Sequence, residues 1–352
     1  MTQPINVADY EALAAQRLDP DVLGYYAGGA GDERTLRDNV DAFARRRLRP
    51  RVLVDVGDVS TATTVLGSEV AMPVLVAPTA LQRLAHPDGE PGMARAAAAA
   101  GTIFTLSTLA TSRPREVCEH APHAPRWFQL YAFRDAAVTR ALCDEAIDCG
   151  FDAIVLTVDA PRAGRRERDL RTGFAVPPEV DMPAVRAALG VDACPTPAEF
   201  FSLVDASLTW AAVERLAASL DLPVIVKGIQ TAQDAALACE HGAAAVVVSN
   251  HGGRQLDGVA ASIDVLPEVV DAVGDRLEVL VDGGIRRGTD VAVALALGAR
   301  AVLVGRPALW GLAAAGEPGA RHVLELLREE LDLALLLLGC PTPAHVTRDH
   351  VD

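Results

Sequence analysis

The chain has 352 residues, a formal net charge of -15 and a pI near 5.0. An acidic chain without a basic stripe repels a phosphate backbone, which excludes nucleic-acid binding as its function. Half of the residues are hydrophobic, and glycine and proline are spread along the whole length, which indicates a folded protein large enough for an enzyme.

The cysteines and the apolar runs bear on the compartment. The six cysteines are scattered, with no C-x-x-C pair and no metal-ligand spacing, so we expect reduced thiols and no structural metal. The apolar run Leu331 to Leu338 is far shorter than the ~20 residues that a membrane span needs. Residues 1–13 lack the basic and apolar regions of a signal peptide. These patterns predict a soluble cytoplasmic protein without a membrane partner.

The first 50 residues predict a helical extension, with a turn at Gly28 to Gly31. From residue 73 to residue 310, short apolar runs of strand length alternate with Ala- and Leu-rich segments of helical period. The predicted strands are Val74–Ala77, Ile103–Ser107, Trp127–Leu130, Ala153–Thr157, Val224–Lys227, Ala245–Val248, Glu278–Asp282 and Ala301–Val304. Eight continuously apolar strands favour a closed (β/α)8 TIM barrel over an open α/β sheet.

Segments between the strands predict helices, several of them with Thr, Ser or Asp caps and a closing glycine. They are Gly89–Ala100, Ala136–Cys149, Trp210–Ser219, Thr231–His241 and Gly288–Leu297. Residues 161–208, after strand four, are weakly periodic and contain prolines, which is typical of a lid loop over an active site. A helical segment is expected over 318–352, and the whole chain is interpreted as a single domain.

Polar residues follow the predicted strands, at the barrel end where active sites are built. The turn after strand six reads S-N-H-G-G-R-Q-L-D-G and carries His251 and Arg254. An imidazole can accept a proton near neutral pH, and a guanidinium can grip a carboxylate through two hydrogen bonds. The alternative is that His251 and Arg254 are a turn histidine and a surface arginine without a catalytic role. The polar residues at the ends of the other strands argue against it.

The loops after strands seven and eight are Gly-rich and contain Arg286 and Arg306. Barrels of this type often bind a phosphate group at these two loops, through backbone N–H groups and a helix terminus. Lys227, at the end of strand five, is the one lysine among 32 basic side chains. Either the site requires it, or an arginine-rich composition left one lysine behind.

Several ordered motifs resemble the FMN-dependent 2-hydroxy acid oxidases and dehydrogenases, a family that includes glycolate oxidase, lactate oxidase, mandelate dehydrogenase and hydroxymandelate oxidase. The most specific motif is S-N-H-G-G-R-Q-L-D at 249–257. The others are A-P-T-A at 77–80, F-Q-L-Y at 128–131, T-V-D-A-P-R-A-G-R-R at 157–166, V-K-G-I at 226–229, D-G-G-I-R-R-G-T-D at 282–290 and G-R-P at 305–307.

The resemblance implies a catalytic set and a substrate site. His251 is the general base, and Asp159 stabilises its protonated form. Arg254 and Arg166 hold the substrate carboxylate, with Tyr25 and Tyr131 as hydroxyl partners. The positive charge of Lys227 stabilises the reduced flavin. Whether His251 removes the hydroxyl proton during hydride transfer or the α-proton stays open.

The resemblance also implies FMN as the cofactor and assigns its site. The residues expected at the flavin ring are Pro78, Thr79, Ala80, Ser107, Gln129, Tyr131, Thr157, Lys227 and Ser249. Those expected at the ribityl chain and phosphate are Asp282, Gly283, Gly284, Arg286, Gly305 and Arg306. No metal is expected, and the family resemblance suggests a homotetramer.

Two departures from the family pattern bear on the substrate. Leu109 stands where glycolate oxidase has a tryptophan, and Ala163 where a larger aliphatic residue is usual, so we expect a larger pocket and an (S)-2-hydroxy acid with a medium-chain or aromatic side chain. Membrane-bound mandelate dehydrogenases of this family carry an apolar insertion at the position of 174–205, whereas this chain has charged residues there. The resemblance therefore implies an oxidase that reduces dioxygen to hydrogen peroxide. The alternatives are a soluble dehydrogenase with another acceptor, or a glycolate or lactate oxidase proper.

Two rival classes are weighed against this interpretation. Type 2 isopentenyl diphosphate isomerase shares the phosphate loops but has no use for His251 with Arg254 and Arg166. A non-catalytic flavin-binding protein is expected to have lost at least one of His251, Arg254, Lys227 and Tyr131, and this chain keeps all four.

Overall fold

The computed structural model describes residues 3–352, apart from the side chains at 197 and 198. The predicted N-terminal extension consists of α1 (Val7–Arg17), α2 (Pro20–Ala27) and α3 (Arg34–Ala44). Asn6 caps α1 by accepting a hydrogen bond from the Asp9 N–H, and α2 begins with Pro20, which has no N–H to leave unpaired.

A β-hairpin that the sequence patterns did not predict follows the extension. Strands β1 (Thr63–Val65) and β2 (Ser68–Val70) are antiparallel. The connecting Leu66 and Gly67 both have positive φ, as in the tight turns that suit a twisted hairpin. Val65 and Val70 are buried against the side chains inside the barrel, so the hairpin closes its amino-terminal end.

Eight parallel strands form a closed barrel, which confirms the predicted fold class. The strands are β3 (Val74–Val76), β4 (Phe104–Leu106), β5 (Arg126–Leu130), β6 (Ala153–Thr157), β7 (Val224–Ile229), β8 (Ala245–Val248), β9 (Glu278–Asp282) and β10 (Ala301–Val304). All eight coincide with predicted strands to within two residues at each end. β10 pairs with β3 and closes the ring.

Helices surround the barrel in the expected alternation. They are α4 (Gly89–Ala100), α5 (Pro114–His120), α6 (Ala136–Asp148), α10 (Trp210–Ser219), α11 (Ala232–Glu240), α12 (Ser262–Val273), α13 (Gly288–Ala296) and α14 (Arg306–Leu338). α14 kinks at Ala315 and Gly316, and it extends into the predicted C-terminal helical segment, where two short turns complete the chain.

The segment 161–208 contains three short helices rather than a plain loop. They are α7 (Glu167–Thr172), α8 (Pro183–Leu189) and α9 (Pro197–Leu203). The far end of this lid is fixed to the barrel, because the Arg134 N–H donates to the Leu203 carbonyl and the Asp205 N–H to the Ala132 carbonyl. Across residues 3–352, no helix combines the length and apolarity that crossing a bilayer requires.

Candidate active site

The inner face of the barrel changes from apolar to polar along each strand. Because successive side chains on a strand point to opposite faces, every second residue points inward. On β7, Ile225 belongs to the inner apolar cluster and Lys227 follows it towards the mouth, while on β9 Leu280 is followed by Asp282. The same change from apolar to polar inward-facing residues on the other strands places polar side chains together at the carboxyl end of the barrel.

Gln129 forms the centre of a buried polar layer at this mouth. Its Oε1 accepts hydrogen bonds from the Ser107 hydroxyl at 3.2 Å and the Thr108 N–H at 3.1 Å. Its Nε2 donates to the Thr157 hydroxyl at 3.0 Å. Three of the residues expected at the flavin ring are therefore held in fixed orientations by one another.

Lys227 lies in the same layer and is only 4% exposed. Its Nζ donates to the Ser249 hydroxyl at 3.0 Å and lies 3.3 Å from Asp282 Oδ2. Burial opposes the charged ammonium, but the carboxylates of Asp282 and Asp159 outweigh it and raise the pKa of Lys227. The ammonium is thus a fixed positive charge at the floor of the mouth.

His251 and Asp159 form a hydrogen-bonded pair, with Nδ1 of the imidazole 2.9 Å from Oδ1 of the carboxylate. A glycine makes the approach possible, because a Cβ at Gly228 would lie 2.7 Å from the Asp159 Cβ. Burial, together with the charges of Lys227 and Arg166, lowers the pKa of His251 despite the opposing effect of Asp159. The imidazole is therefore neutral at neutral pH and can accept a proton.

The pKa of Asp159 is lowered, which keeps the carboxylate that pairs with His251 in its charged form. Burial favours the neutral acid, but His251 and Lys227 outweigh it and hold the pKa of Asp159 below its usual value. Asp159 is therefore an anion that can stabilise an imidazolium once His251 has gained a proton. Its second carboxylate oxygen, Oδ2, has no hydrogen-bond partner.

Arg254 and Arg166 converge on the Tyr25 ring from the cavity side. The Arg254 guanidinium lies 5.1 Å from the ring centroid and the Arg166 guanidinium 5.9 Å. Arg254 also donates to the carbonyl oxygens of Tyr25 and Gly28. Burial and the neighbouring Arg166 lower the pKa of Arg254 to about 10, although the carboxylate of Asp169 opposes this in part. A substrate carboxylate would stabilise the charged guanidinium further.

A second cationic region lies at the ends of β9 and β10. Burial lowers the pKa values of Arg286 and Arg306, and for Arg306 the nearby Arg254 adds to the effect. Gly283 and Gly284 have φ values of 97° and 90°, and a Cβ at Gly284 would lie 1.9 Å from the Asn39 carbonyl oxygen. Glycine-rich backbone with positive φ beside these half-buried arginines forms a cradle of the kind that binds phosphate.

The lid supplies an apolar wall that the sequence patterns did not identify. Val176, Met182 and Phe201 line the cavity with the predicted Leu109. Met182 is 3% exposed, and the Tyr131 ring packs edge-on against Phe201. The irregular spacing of the lid residues gives no periodic signal, so only the folded chain shows which of them point inward.

The expectation for Ala163 is wrong, since its side chain is exposed and does not line the cavity. The adjacent Gly164 packs against the backbone of the His251 turn, where a Cβ would lie 2.2 Å from the Arg254 carbonyl oxygen. This contact places the chain so that Ala163 faces outward and Arg166 turns inward. Of the two residues expected to enlarge the pocket, Leu109 therefore lines the cavity and Ala163 does not.

The remaining expected residues lie around one cavity. Its lining includes Tyr25, Pro78, Thr79, Ala80, Ser107, Leu109, Gln129, Tyr131, Thr157, Arg166, Lys227, His251, Arg254, Asp282, Gly283, Gly284, Arg286, Gly305 and Arg306. Asp159 and Ser249 stand behind the lining, bonded to His251 and Lys227. The empty volume is about 1300 Å³ with the mouth included.

These features define a (β/α)8-barrel enzyme with a phosphate cradle, an apolar substrate wall and a neutral histidine beside two arginines. The family model described as FMN-dependent dehydrogenase matches residues 14–352. The chain therefore belongs to the FMN-dependent dehydrogenase family, whose members use FMN, and within it to the 2-hydroxy acid oxidases.

Known relatives agree with this assignment. The chain is 49% identical to glycolate oxidase 5 of Oryza sativa subsp. japonica, covering 100% of this chain and 96% of the relative. It is also 49% identical to the L-lactate oxidase of Nostoc sp., covering 97% and 96%. A mandelate oxidase variant solved with (S)-mandelic acid superposes with a TM-score of 0.90 at 44% identity, covering 99% and 98%. A chimera of (S)-mandelate dehydrogenase superposes with a TM-score of 0.92 at 37% identity, covering 99% of both chains.

The residues present fit FMN. The cradle at Gly283 and Gly284 suits a terminal phosphate, because burial disfavours the charge of Arg286 and the nearby carboxylates of Glu11 and Asp290 offset this only in part. Asp282 Oδ1 is buried without a hydrogen-bond partner and can accept from a ribityl hydroxyl. The layer of Gln129, Ser107 and Thr157 offers donors and acceptors to the heteroatoms of an isoalloxazine edge, beside the ammonium of Lys227.

Proposed function

We propose that the protein oxidises (S)-2-hydroxy acids with an aromatic or medium-chain aliphatic side chain to the 2-oxo acids and delivers the electrons to dioxygen, with hydrogen peroxide as the product. One observation carries the proposal: the paired His251 and Asp159 share a cavity with Arg166 and Arg254, opposite an apolar wall. The pair supplies a base, the arginines a carboxylate site, and the wall a place for the substrate side chain.

The chain's own residues perform the proton chemistry in this proposal. Arg254 and Arg166 bind the carboxylate, and the hydroxyls of Tyr25 and Tyr131 contact the substrate oxygens. His251 then accepts one proton at Nε2, since Nδ1 is engaged with Asp159. Either the hydroxyl proton or the α-proton can be the one transferred. The chemistry that bound FMN would supply is the uptake of two electrons from the substrate and their transfer to the acceptor.

We propose that FMN is held by the residues that the family resemblance implies. Pro78, Thr79 and Ala80 would contact the flavin ring, and Gln129, Ser107, Thr157 and Tyr131 would offer it hydrogen bonds. The ammonium of Lys227 would stabilise a negative charge on the reduced ring. Arg286, Arg306, Gly284 and Gly305 would hold the phosphate.

The test is anaerobic bleaching of the flavin in the purified holoenzyme. The substrates are both enantiomers of lactate, mandelate, 4-hydroxymandelate and 2-hydroxyoctanoate, with glycolate added. We expect (S)-mandelate or (S)-2-hydroxyoctanoate to give a kcat/KM at least about tenfold above glycolate, because each methylene-sized difference in an apolar pocket contributes ~1–3 kcal/mol. Bleaching by no (S)-acid refutes the proposal, and preference for glycolate or lactate favours the activity named for the plant and Nostoc relatives.

The electron acceptor is tested separately, with air-saturated buffer compared against an artificial quinone or dye acceptor. Stoichiometric peroxide with rapid turnover in air supports the oxidase. Turnover that depends on the artificial acceptor indicates a dehydrogenase. The non-catalytic alternative requires that neither condition gives turnover.

A homotetrameric, cytoplasmic enzyme completes the proposal. Three consecutive residues, Val52 to Val54, are exposed at 81%, 103% and 42%, and Leu333, Leu336 and Leu337 on α14 are exposed as well. The two groups are adjacent, because the Arg51 N–H donates to the Leu338 carbonyl. An apolar surface of this kind suits a contact with another copy of the chain. Light scattering is expected to give the mass of four chains, and the mass of one would contradict the assembly.

A further inference from the structure

The turn that carries His251 has a strained backbone. His251 has a φ of 59°, in the left-handed region that non-glycine residues seldom adopt, and Gly252 and Gly253 follow with φ values of 62° and 74°. A non-glycine residue in this region is strained and persists only where its surroundings fix it. Something must therefore hold this turn.

Asn250 holds the turn from within. Its side-chain oxygen accepts from the Gly253 N–H at 3.1 Å, and its Nδ2 donates to the Ala260 carbonyl at 3.1 Å. Its backbone N–H donates to the Ser262 hydroxyl at 3.2 Å. The amide thereby connects both ends of the loop that separates β8 from α12.

Asn39 of α3 holds Asn250 in place from outside the barrel. The two amides exchange hydrogen bonds, with Asn39 Nδ2 donating to Asn250 Oδ1 at 2.8 Å and Asn250 Nδ2 donating to Asn39 Oδ1 at 2.7 Å. The Ser262 N–H also donates to Asn39 Oδ1. Both amides are less than 5% exposed. The N–H donors of Gly253 and Ser262 determine which way each amide points.

The rest of α3 is fitted to the same turn. A Cβ at Gly253 would lie 2.6 Å from the Leu36 backbone, so helix and turn are in direct contact. Thr35 donates its N–H to Asp257 and accepts from the Gly258 N–H. The Asn39 carbonyl oxygen also abuts Gly284 of the phosphate cradle. One residue of the N-terminal extension thus contacts both the base turn and the phosphate loop.

We propose that Asn39 is a positioning residue for the oxidation, and that its amide pair with Asn250 keeps residues 251–253 in the left-handed geometry that directs His251 at the substrate. The inference rests on the proposed role of His251. Arg254 is less dependent on the pair, because the carbonyl oxygens of Tyr25 and Gly28 anchor its guanidinium separately. Loss of the pair should therefore slow the reaction without weakening carboxylate binding.

The experiment compares Asn39→Ala and the milder Ser262→Ala with wild type. Rates of flavin reduction come from anaerobic stopped flow at saturating substrate, and carboxylate affinity comes from flavin spectral changes with phenylacetate, which lacks the reacting hydroxyl. Since a misplacement of 1 Å can cost about 100-fold in rate, we expect Asn39→Ala to lower the rate constant about 10- to 100-fold and Ser262→Ala about 3- to 10-fold. The phenylacetate Kd should stay within about twofold, and the downfield proton resonance of the His251–Asp159 hydrogen bond should weaken.

Thr102→Val is the matched control. Its hydroxyl is buried and donates to the Val74 carbonyl, away from the site, so the variant loses one buried hydrogen bond and should keep the wild-type reduction rate. His251→Gln separates the two proposals. If His251→Gln is slow while Asn39→Ala and Ser262→Ala reduce FMN at the wild-type rate, Asn39 has no positioning role. Equal losses of reduction rate and phenylacetate affinity in Asn39→Ala and Ser262→Ala also contradict the inference. A normal rate for His251→Gln removes the base assignment instead.

Discussion

The His251 turn and the lid are built in different ways. The turn is held by reciprocal side-chain hydrogen bonds, by glycines that tolerate no Cβ, and by direct packing against α3. The lid consists of three short helices, and α7 within it has no buried residue. The lid contributes buried side chains such as Val185 and Phe200 to the main core, so it is held by apolar packing rather than by a side-chain hydrogen-bond network. If the proposed function holds, the proton chemistry belongs to the rigid turn and substrate selection to the apolar wall that the lid forms.

The largest effect is expected from removing the base. His251→Gln should lower the rate constant of flavin reduction about 10²- to 10⁴-fold, the range typical of general base catalysis. The loss should be similar for every 2-hydroxy acid, because the turn acts on the reacting carbon rather than the side chain. Anaerobic stopped flow measures it, with His241→Gln on the far side of the protein as the control. A loss confined to one substrate would contradict the idea that the turn serves the reaction of every substrate and that only the lid distinguishes between substrates.

The second effect is on the carboxylate site. Arg254→Lys keeps the charge but loses the planar pair of donors, so phenylacetate should bind about 10- to 100-fold more weakly, as expected for ~1.5–3 kcal/mol of charge-assisted hydrogen bonding. Flavin difference spectra give the Kd. Arg168→Lys, on α7 and bonded to Glu33 at the surface, is the matched control. Unchanged affinity in Arg254→Lys would remove this arginine from the carboxylate site.

The lid should change selectivity by a smaller factor and leave the chemistry intact. Met182→Ala and Phe201→Ala remove parts of the apolar wall, so the ratio of kcat/KM for mandelate to that for glycolate should change about 5- to 50-fold. Leu170→Ala, at a lid position that is 61% exposed, is the control. Equal losses on both substrates would show that the lid takes part in positioning the base.

The smallest effect concerns pH. The base must be neutral, and the pKa of His251 is lowered by burial, so kcat/KM should stay constant as pH falls through 6.5 and decline only below it. Asp159 opposes this lowering. Asp159→Asn should therefore move the decline to still lower pH and reduce the plateau rate, because the imidazolium loses its partner. A decline centred above pH 6.5 in the wild type would contradict the assigned environment.

Much of the turn and barrel could be predicted because local rules determine them. The alternation of side chains along β7 and β9 places Lys227 and Asp282 at the mouth directly from the strand assignments. The pairing of Asn39 with Asn250 could not be found this way, because the two residues are 211 positions apart and neither belongs to a periodic pattern. The orientation of the lid residues could not be predicted for a related reason. Ala163 and Met182 lie in irregular chain, where no periodic pattern distinguishes side chains that face the cavity from those that face solvent.

The lone lysine has a practical consequence. A reagent that acylates side-chain amines meets a single ammonium in this chain, and in the folded protein it lies beneath the catalytic cavity with 4% of its surface exposed. Its rate of modification therefore reports how often the mouth of the barrel opens to a molecule of that size. Immobilisation through surface lysines is unsuited to this enzyme, whereas coupling through its many carboxylates leaves Lys227 untouched.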